Sequence, residues 1–487
     1  MLVYAVDLGT TNVKVVLFDE MLRRRAVAQA PAEYDRAGTR VEFDPVRLFE
    51  IVIDLIWQCA RSFGDTSAHR AVIAITGQAE SFVLVDESGQ PVRPGISWLD
   101  DRAGRQAAEM AERFDPGMAF RVTGQPEPSA TWPAVKLRWL AEHEPASLSS
   151  AHAVLMIKDD LIRRLTGVMV GELTTRGFSY FYDVGAGSYW EEMLDFCSID
   201  PGQLPGLVRA GLEVGSVRPA VRDRLPPAVD GYRVNAGALD HFCAMVGTGS
   251  YLDGSVSESA GTVLSLSMLA PHFSFDPASR ISFHAGLRPA ETLLFTGVDC
   301  GGAALDWFRR ECLGGLPYDD LEQGLRGRRS AEAPFFLPYL TGVNPPDFFP
   351  DARGAFLGIE LGHDRFDLAY AVEEGVAHLL RRNVDSLAAS GDRICEIVST
   401  GGGAASAFWS QLKSDVCGVD VLVPHEQEAT CRGAAALALV ELGVLADITD
   451  ADRLSRPDVV RYRPSGDHRH ERRYRAFEDY LDRLFNN

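Results

Sequence analysis

The chain has 487 residues, 46% hydrophobic and 24% charged, with a formal net charge of −20. That length is too great for one ordinary core and predicts two domains of a soluble globular enzyme. The acidity argues against nucleic acid, whose phosphates want basic grooves, and against an anionic membrane surface. No apolar run approaches the 18 residues of a membrane span. Eight scattered cysteines without a Cys-x-x-Cys pair suit reduced thiols better than a disulfide frame or a zinc site. The chain opens on an apolar strand with no basic leader, and a cytoplasmic protein is expected.

In chain order, Leu2–Val6 reads as a strand, Asp7-Leu8-Gly9-Thr10-Thr11-Asn12 as a turn and Val13–Phe18 as a second strand. Ala71–Thr76 is a buried strand ending in Gly77-Gln78, and Ser81–Asp86 continues as another. A second Gly-Thr turn, Gly261-Thr262, sits between Ser257–Ala260 and Val263–Leu266, which suggests a duplicated pair of domains. The spacing of Leu368, Val372, Val376, Leu379 and Leu380 predicts a helix over 367–387, with Arg381 and Arg382 facing out. Ile397–Thr400 is a strand running into Gly401-Gly402-Gly403, followed by a helix over 407–416. The tail ends in a docking helix over 474–485. This alternation predicts α/β architecture, divided in the Gly-rich strip between Asp240 and Asp253.

Several stretches carry chemistry. Ala236-Gly237-Ala238-Leu239-Asp240-His241 places an acid at the end of an apolar strand, where a carboxylate can take a proton from a bound hydroxyl if a phosphate sits opposite. Asp7-x-Gly9-Thr10-Thr11 has the parts of a phosphate cradle, with Asp7 placed for a hydrated Mg²⁺; the same residues also suit a plain hairpin turn. Gly401–Ser406 and Gly301-Gly302 offer close backbone approach to a nucleotide, or simply tight strand-helix packing. A Walker A motif is excluded because no Gly-Lys dipeptide occurs, and no Gly-x-Gly-x-x-Gly follows the first strand.

Taken in order, these motifs resemble the FGGY family of carbohydrate kinases over essentially the whole chain. The resemblance is carried by Asp7–Thr11, Thr76-Gly77-Gln78, Ile96–Arg102, Ala134–Leu140, Lys158–Gly167, Phe336–Phe356 and Gly401–Ser406. It implies two actin/Hsp70-like (ribonuclease H-like) domains, 1–247 on the sugar side and 248–487 on the nucleotide side, closing on an active site in the cleft. ATP and Mg²⁺ are the implied cofactors. Asp240 resembles the family's general base, with Asp7 and Asp240 at the metal. Gln78, Glu80, Trp98, Asp100 and His241 fall at the substrate. Gly9, Thr10, Thr11, Gly261, Thr262, Gly302, Gly402, Gly403 and Ser406 fall at the nucleotide.

The implied substrate is a small sugar, a ketopentose such as xylulose first, with a sugar alcohol or another ketose as the alternative. Gln78-Ala79-Glu80 departs from the Gln-Met-His usual in xylulose kinases, and Glu80 is similar to the polyol-holding acid of glycerol kinases without its adjacent Arg. Thr341–Pro346 lacks a Gly-Glu-Arg-x-Pro pattern. A homodimer is compatible with the family. An actin-like ATPase or a sugar sensor without catalysis would use the same fold.

Overall fold

The computed structural model describes residues 1–270, 280–298, 300–328, 333–342, 347, 351–389, 393–425, 428–451 and 459–485. Of the expected substrate-side stretch Thr341–Pro346, residues 343–346 lie outside this set. The chain forms two compact units, each assembled from more than one stretch. The first is Met1–Gly249 with Phe283–Thr292 and Glu428–Arg456; the second is Ser250–Ser282 with Leu293–Gln427 and Pro457–Asn487.

The first unit is built on a sheet of six strands: β1 (Leu2–Leu8), β2 (Asn12–Asp19), β3 (Arg24–Pro31), β4 (Arg70–Gly77), β5 (Glu213–Ser216) and β6 (Val229–Asn235). Their order across the sheet is β3-β2-β1-β4-β6-β5. β1 and β4 are parallel and apolar along nearly their whole length, as strands buried on both faces should be. Helix α1 (Pro45–Phe63) covers one face. Its N-cap Asp44 accepts from the amides of Val46 and Arg47, Pro45 takes the first helical position, and Gly64 ends it. Ile56, Val52 and Leu55 of α1 join Tyr4, Val6, Val15 and Leu17 in the core. Helices α2 (Pro133–His143), α3 (Ile157–Thr166) and α4 (Asp240–Thr248) complete the elements that matter for the site.

The second unit repeats this plan. β7 (Ser255–Ala260), β8 (Leu264–Ala270), β9 (Thr292–Val298), β10 (Glu396–Thr400), β11 (Asp420–Pro424) and β12 (Val459–Tyr462) lie in the order β9-β8-β7-β10-β11-β12. In both sheets an antiparallel hairpin is followed by two parallel strands and an antiparallel one, β1/β2 then β4, β6 and β5 matching β7/β8 then β10, β11 and β12. The two Gly-Thr turns mark corresponding hairpins. Helices α5 (Gly302–Cys312), α6 (Tyr318–Leu325), α7 (Arg365–Ala388) and α8 (Ala407–Cys417) belong to this unit. Helix α9 (Ala429–Glu441) returns to the first unit, and α10 (His468–Phe485) closes the second.

Two expectations change. Arg381 and Arg382 are half-buried rather than solvent-facing: Arg381 lies 4.1 Å from the Tyr474 ring centroid and pairs with Glu471, while Arg382 pairs with Asp347 and Glu478. Both hold α10 in place. The strand before Asp240 ends at Asn235, and Asp240 opens helix α4 instead of ending a strand. No helix among the described residues is long and apolar enough to cross a membrane.

Candidate active site

Asp7 occupies the one half-buried position in the otherwise buried strand β1, opposite Lys14 on β2 and Thr76 on β4. The Thr76 hydroxyl donates to the carbonyl of Ala238 at 2.9 Å, and the Leu239 amide donates to Thr174 Oγ1 at 2.8 Å. Leu239 also bridges to Gly77, at the end of β4. These bonds pin the residues just before Asp240. Behind them, the fully buried Lys158 Nζ donates to the carbonyl of Ala236 at 2.7 Å and to Glu172 at 3.0 Å, and Glu172 in turn accepts from the Thr174 hydroxyl. Lys158 and its neighbours therefore set the approach to the acid.

The exit from Asp240 is fixed by helix packing. A Cβ on Gly247 of α4 would lie 1.8 Å from the carbonyl oxygen of Ala429, and one on Gly433 of α9 would lie 1.7 Å from that of Cys243. Both helices meet backbone to backbone, which only glycine allows. Gly247 is thus a packing residue inside α4. Asp240 stands in the first turn of α4, at the end of the helix dipole that favours a negative charge, and its Oδ1 accepts from the His241 amide at 2.6 Å.

Burial, reinforced by the charge of Asp240, pushes the Asp7 carboxyl up to about 7, against the pull of Lys14. Lys14 forms a 2.7 Å ion pair with Glu428. That hydrogen bond and charge raise the Lys14 ammonium despite desolvation, which acts to lower it. Glu80 follows the same logic as Asp7: burial and the Asp240 charge raise it, and Lys136 opposes. Three acids therefore act on one another electrostatically at this face, with Asp240 common to both interactions.

The sugar-side residues come together through hydroxyls and amides. Trp98 Nε1 donates to Thr10 Oγ1 at 2.9 Å, Thr10 donates to Gln78 Oε1 at 3.4 Å, and Gln78 Nε2 donates to the Tyr34 hydroxyl at 3.2 Å. Thr10, expected at phosphate, has its hydroxyl engaged with Trp98 and Gln78. Thr11 is exposed, and its carbonyl accepts from the Ala32 amide. Glu80 is a non-glycine residue in left-handed backbone, φ 63°, a conformation that costs free energy and recurs at functional sites. Lys136, fully buried on α2, donates to the carbonyls of Ser97 at 2.8 Å and Trp98 at 3.3 Å and so seats the Trp98 segment. Asp100 differs from the others. It is fully buried and accepts from the Val41 amide and from Arg102, whose guanidinium overcomes burial and holds the carboxyl below its usual range. Its carboxylate braces the loop.

The second unit contains a pocket of about 760 Å³, within the range that encloses a small-molecule cofactor. Gly261, Thr262, Gly302, Gly402, Gly403 and Ser406 all line it. The Gly302 amide donates to the carbonyl of Gly261 at 2.9 Å and that of Ala303 to Thr262 at 3.1 Å, seating the Gly-Thr turn on the start of α5. Gly402–Ala405 form a short 3₁₀ turn, and the Ser406 hydroxyl caps α8 by accepting from the Trp409 amide. Trp409, Asp306 and Glu373 also line the pocket and were not anticipated.

For a divalent cation, the telling atom is Asp7 Oδ1. It is buried and has no hydrogen-bond partner among the described residues. Mg²⁺ keeps several waters and needs only one or two protein carboxylates, so Asp7 with Asp240 fits it. A site made entirely of protein ligands is a different matter: among the described residues no three His, Cys, Asp or Glu side chains gather to hold a metal.

Comparison with known proteins agrees with this architecture. Residues 2–247 match the N-terminal domain, and residues 259–442 the C-terminal domain, of the FGGY family of carbohydrate kinases. A xylulose kinase of Streptomyces coelicolor is 29% identical over 90% of this chain and 87% of that protein. A gluconokinase of Bacillus subtilis is 26% identical over 90% of this chain and 87% of that protein. The crystal structure of a ligand-bound xylulose kinase from Lactobacillus acidophilus superposes with a TM-score of 0.92 at 23% identity, covering 99% of this chain and 98% of that one, and shares its fold. With both family domains matched in order along a duplicated sheet plan, the chain belongs to the FGGY family of carbohydrate kinases, an enzyme that phosphorylates a sugar hydroxyl.

Proposed function

We propose that this enzyme transfers the γ-phosphoryl group of ATP to a hydroxyl of a small neutral sugar, a ketopentose such as xylulose in first place, with Asp240 as general base. Asp240 takes the hydroxyl proton as the sugar oxygen bonds to the γ-phosphorus, and the bond from phosphorus to the departing ADP oxygen breaks. A positioned base of this kind contributes roughly 10²–10⁴-fold. The observation that carries the reading is the placement of Asp240: pinned through Ala236, Ala238 and Leu239, and electrostatically linked to both Asp7 and Glu80.

Gln78, Glu80, Trp98 and His241 would hold the sugar, and the pocket of the second unit would hold the nucleotide. A hydrated Mg²⁺ held by Asp7 and Asp240 would supply positive charge against the transferring phosphoryl group.

A neutral substrate follows from the local charge. Asp7, Glu80 and Asp240 share the face, whereas Lys14 is committed to Glu428 and Lys136 to backbone carbonyls. A sugar acid would meet acidic side chains here, with Lys14 and Lys136 already engaged, even though a gluconokinase is among the relatives. Glu80 favours one further reading, a sugar alcohol, because a carboxyl group in that position can hydrogen-bond to hydroxyls. ADP release with Mg-ATP across xylulose, ribulose, gluconate, xylitol, erythritol and glycerol separates these. Xylulose is expected to give the highest kcat/KM and gluconate little; a preference for gluconate would overturn the neutral-substrate assignment.

A further inference from the structure

Helix α7 carries two adjacent acids with different environments. Glu374 is fully accounted for by Arg473, at 2.6 Å. Glu373 points elsewhere and lines the pocket of the second unit. It is 2% exposed, and its Oε2 has no hydrogen-bond partner among the described residues. Its main-chain carbonyl accepts from the indole nitrogen of Trp409, another wall of the pocket, at 3.0 Å. A buried carboxyl oxygen without a partner is costly, and at the wall of a ligand pocket it marks a group that a ligand completes.

We propose that Glu373 reads the base edge of the bound nucleotide, its carboxyl donating a hydrogen bond to adenine N1 and accepting one from the 6-amino group. The assignment rests on the reading of this pocket as the nucleotide site and makes Glu373 a specificity-determining residue within it.

The surrounding charges decide which form of the carboxyl is present. Glu322 faces it from α6. Lys413 faces it from α8 but is committed to Glu258 at 2.5 Å. Asp306 and Arg310 of α5 and Asp319 of α6 line the same pocket. On α7 itself, Glu374 is paired and His378 packs against Phe477. Phe335–Leu337 and β8, which also pack on α7, carry no titratable group. Burial first, and then the Glu322 charge, push Glu373 up to about 8 against the pull of Lys413. At neutral pH it is therefore a carboxylic acid with one donor and one acceptor, the complement of adenine's N1 and 6-amino pair.

Calorimetric binding of ADP, and of its purine analogue lacking the 6-amino group, tests this without reference to turnover. The wild-type protein should bind ADP roughly tenfold to a hundredfold more tightly than the analogue at neutral pH, and its affinity for both should fall as pH rises through about 8, where the donor to N1 is lost. Glu373→Gln keeps a donor and an acceptor that do not titrate, so it should retain ADP affinity and hold it at high pH. Glu373→Leu should bind both ligands alike while melting no lower than wild type without nucleotide, since it removes a buried carboxyl oxygen that has no partner among the described residues. Equal ADP affinity and an unchanged preference in Glu373→Leu would overturn the proposal. Failure of the wild-type protein to bind ADP would overturn the nucleotide reading of the pocket, and this assignment with it.

Discussion

The acidic face of the first unit and the pocket of the second stand on the same sheet plan, yet their functional groups are held by different means. In the first unit, buried charges do the holding: Lys158 and Glu172 fix the peptide leading into Asp240, and Lys136 seats the Trp98 segment. In the second, glycine-rich turns form one part of the wall, beside side chains of α5, α6, α7 and α8, and the buried Lys413–Glu258 pair lies outside the pocket lining. The contrast follows from the chemistry each would perform. Proton abstraction needs one oxygen in one place, because misplacement of a base lowers rate steeply. A polyphosphate and a base spread over many atoms, and a backbone surface serves them. Buried ion networks supply geometric definition at the cost of desolvation, so they are expected where geometry matters most.

The largest stability effect should come from breaking the network. Lys158→Met leaves Glu172 buried without its cation and should cost about 3–5 kcal/mol in denaturant unfolding of the first unit. Turnover should fall in the protein that remains folded, whereas ADP affinity should not change. A smaller effect is expected from the α4–α9 crossing. Gly247→Ala places a methyl group against the Ala429 carbonyl, and should cost about 1–3 kcal/mol and lower kcat more than it changes the KM for ATP. An equal loss of ADP affinity in either variant would erase the distinction between the two regions.

The smallest effect is pH-dependent and read without metal. The Asp7 carboxyl is raised to about 7, so the folded protein binds this proton more tightly than the unfolded chain. Its contribution to stability is complete below the ordinary carboxylate range and is lost as pH rises through about 7. With EDTA present, thermal stability should therefore fall between about pH 5 and pH 8, and Asp7→Asn should remove most of that slope. Adding Mg²⁺ at the upper end should restore stability in the wild type and not in the variant. An Asp7→Asn protein with the full wild-type slope would place the titration elsewhere.

Much of the architecture was legible in the sequence because it is written in local patterns. The apolar runs of β1 and β4, the two Gly-Thr turns and the helical spacing of α7 each carry their own signal. The position of Asp240 was legible and its secondary structure was not. Gly237 turns the chain at φ 55°, with its Cα so close to the Ile75 carbonyl that an added Cβ would lie 2.0 Å from it. That contact with β4 converts an apparent strand end into the start of α4. The hydroxyls have local partners that the sequence does not show: Thr10 is engaged by Trp98 and Gln78, and Ser406 caps a helix. Glu428 left no local trace, since its pairing with Lys14 spans almost the whole chain. Tyr34 lies in the segment after β3 and reaches Gln78 only through the fold. Arg381 and Arg382 looked solvent-facing from helical phase alone, because phase cannot reveal that a distant α10 covers that side.

The most direct measurement is sugar-dependent ADP release by the wild-type enzyme and Asp240→Asn, side by side, with ADP binding and thermal unfolding measured on both. The carboxamide keeps the size and the helix position while removing the ability to accept the proton. Kcat should fall by roughly 10²–10⁴-fold, with ADP affinity and melting temperature close to wild type. Wild-type turnover from a folded Asp240→Asn enzyme would contradict the central claim and move the base to another group.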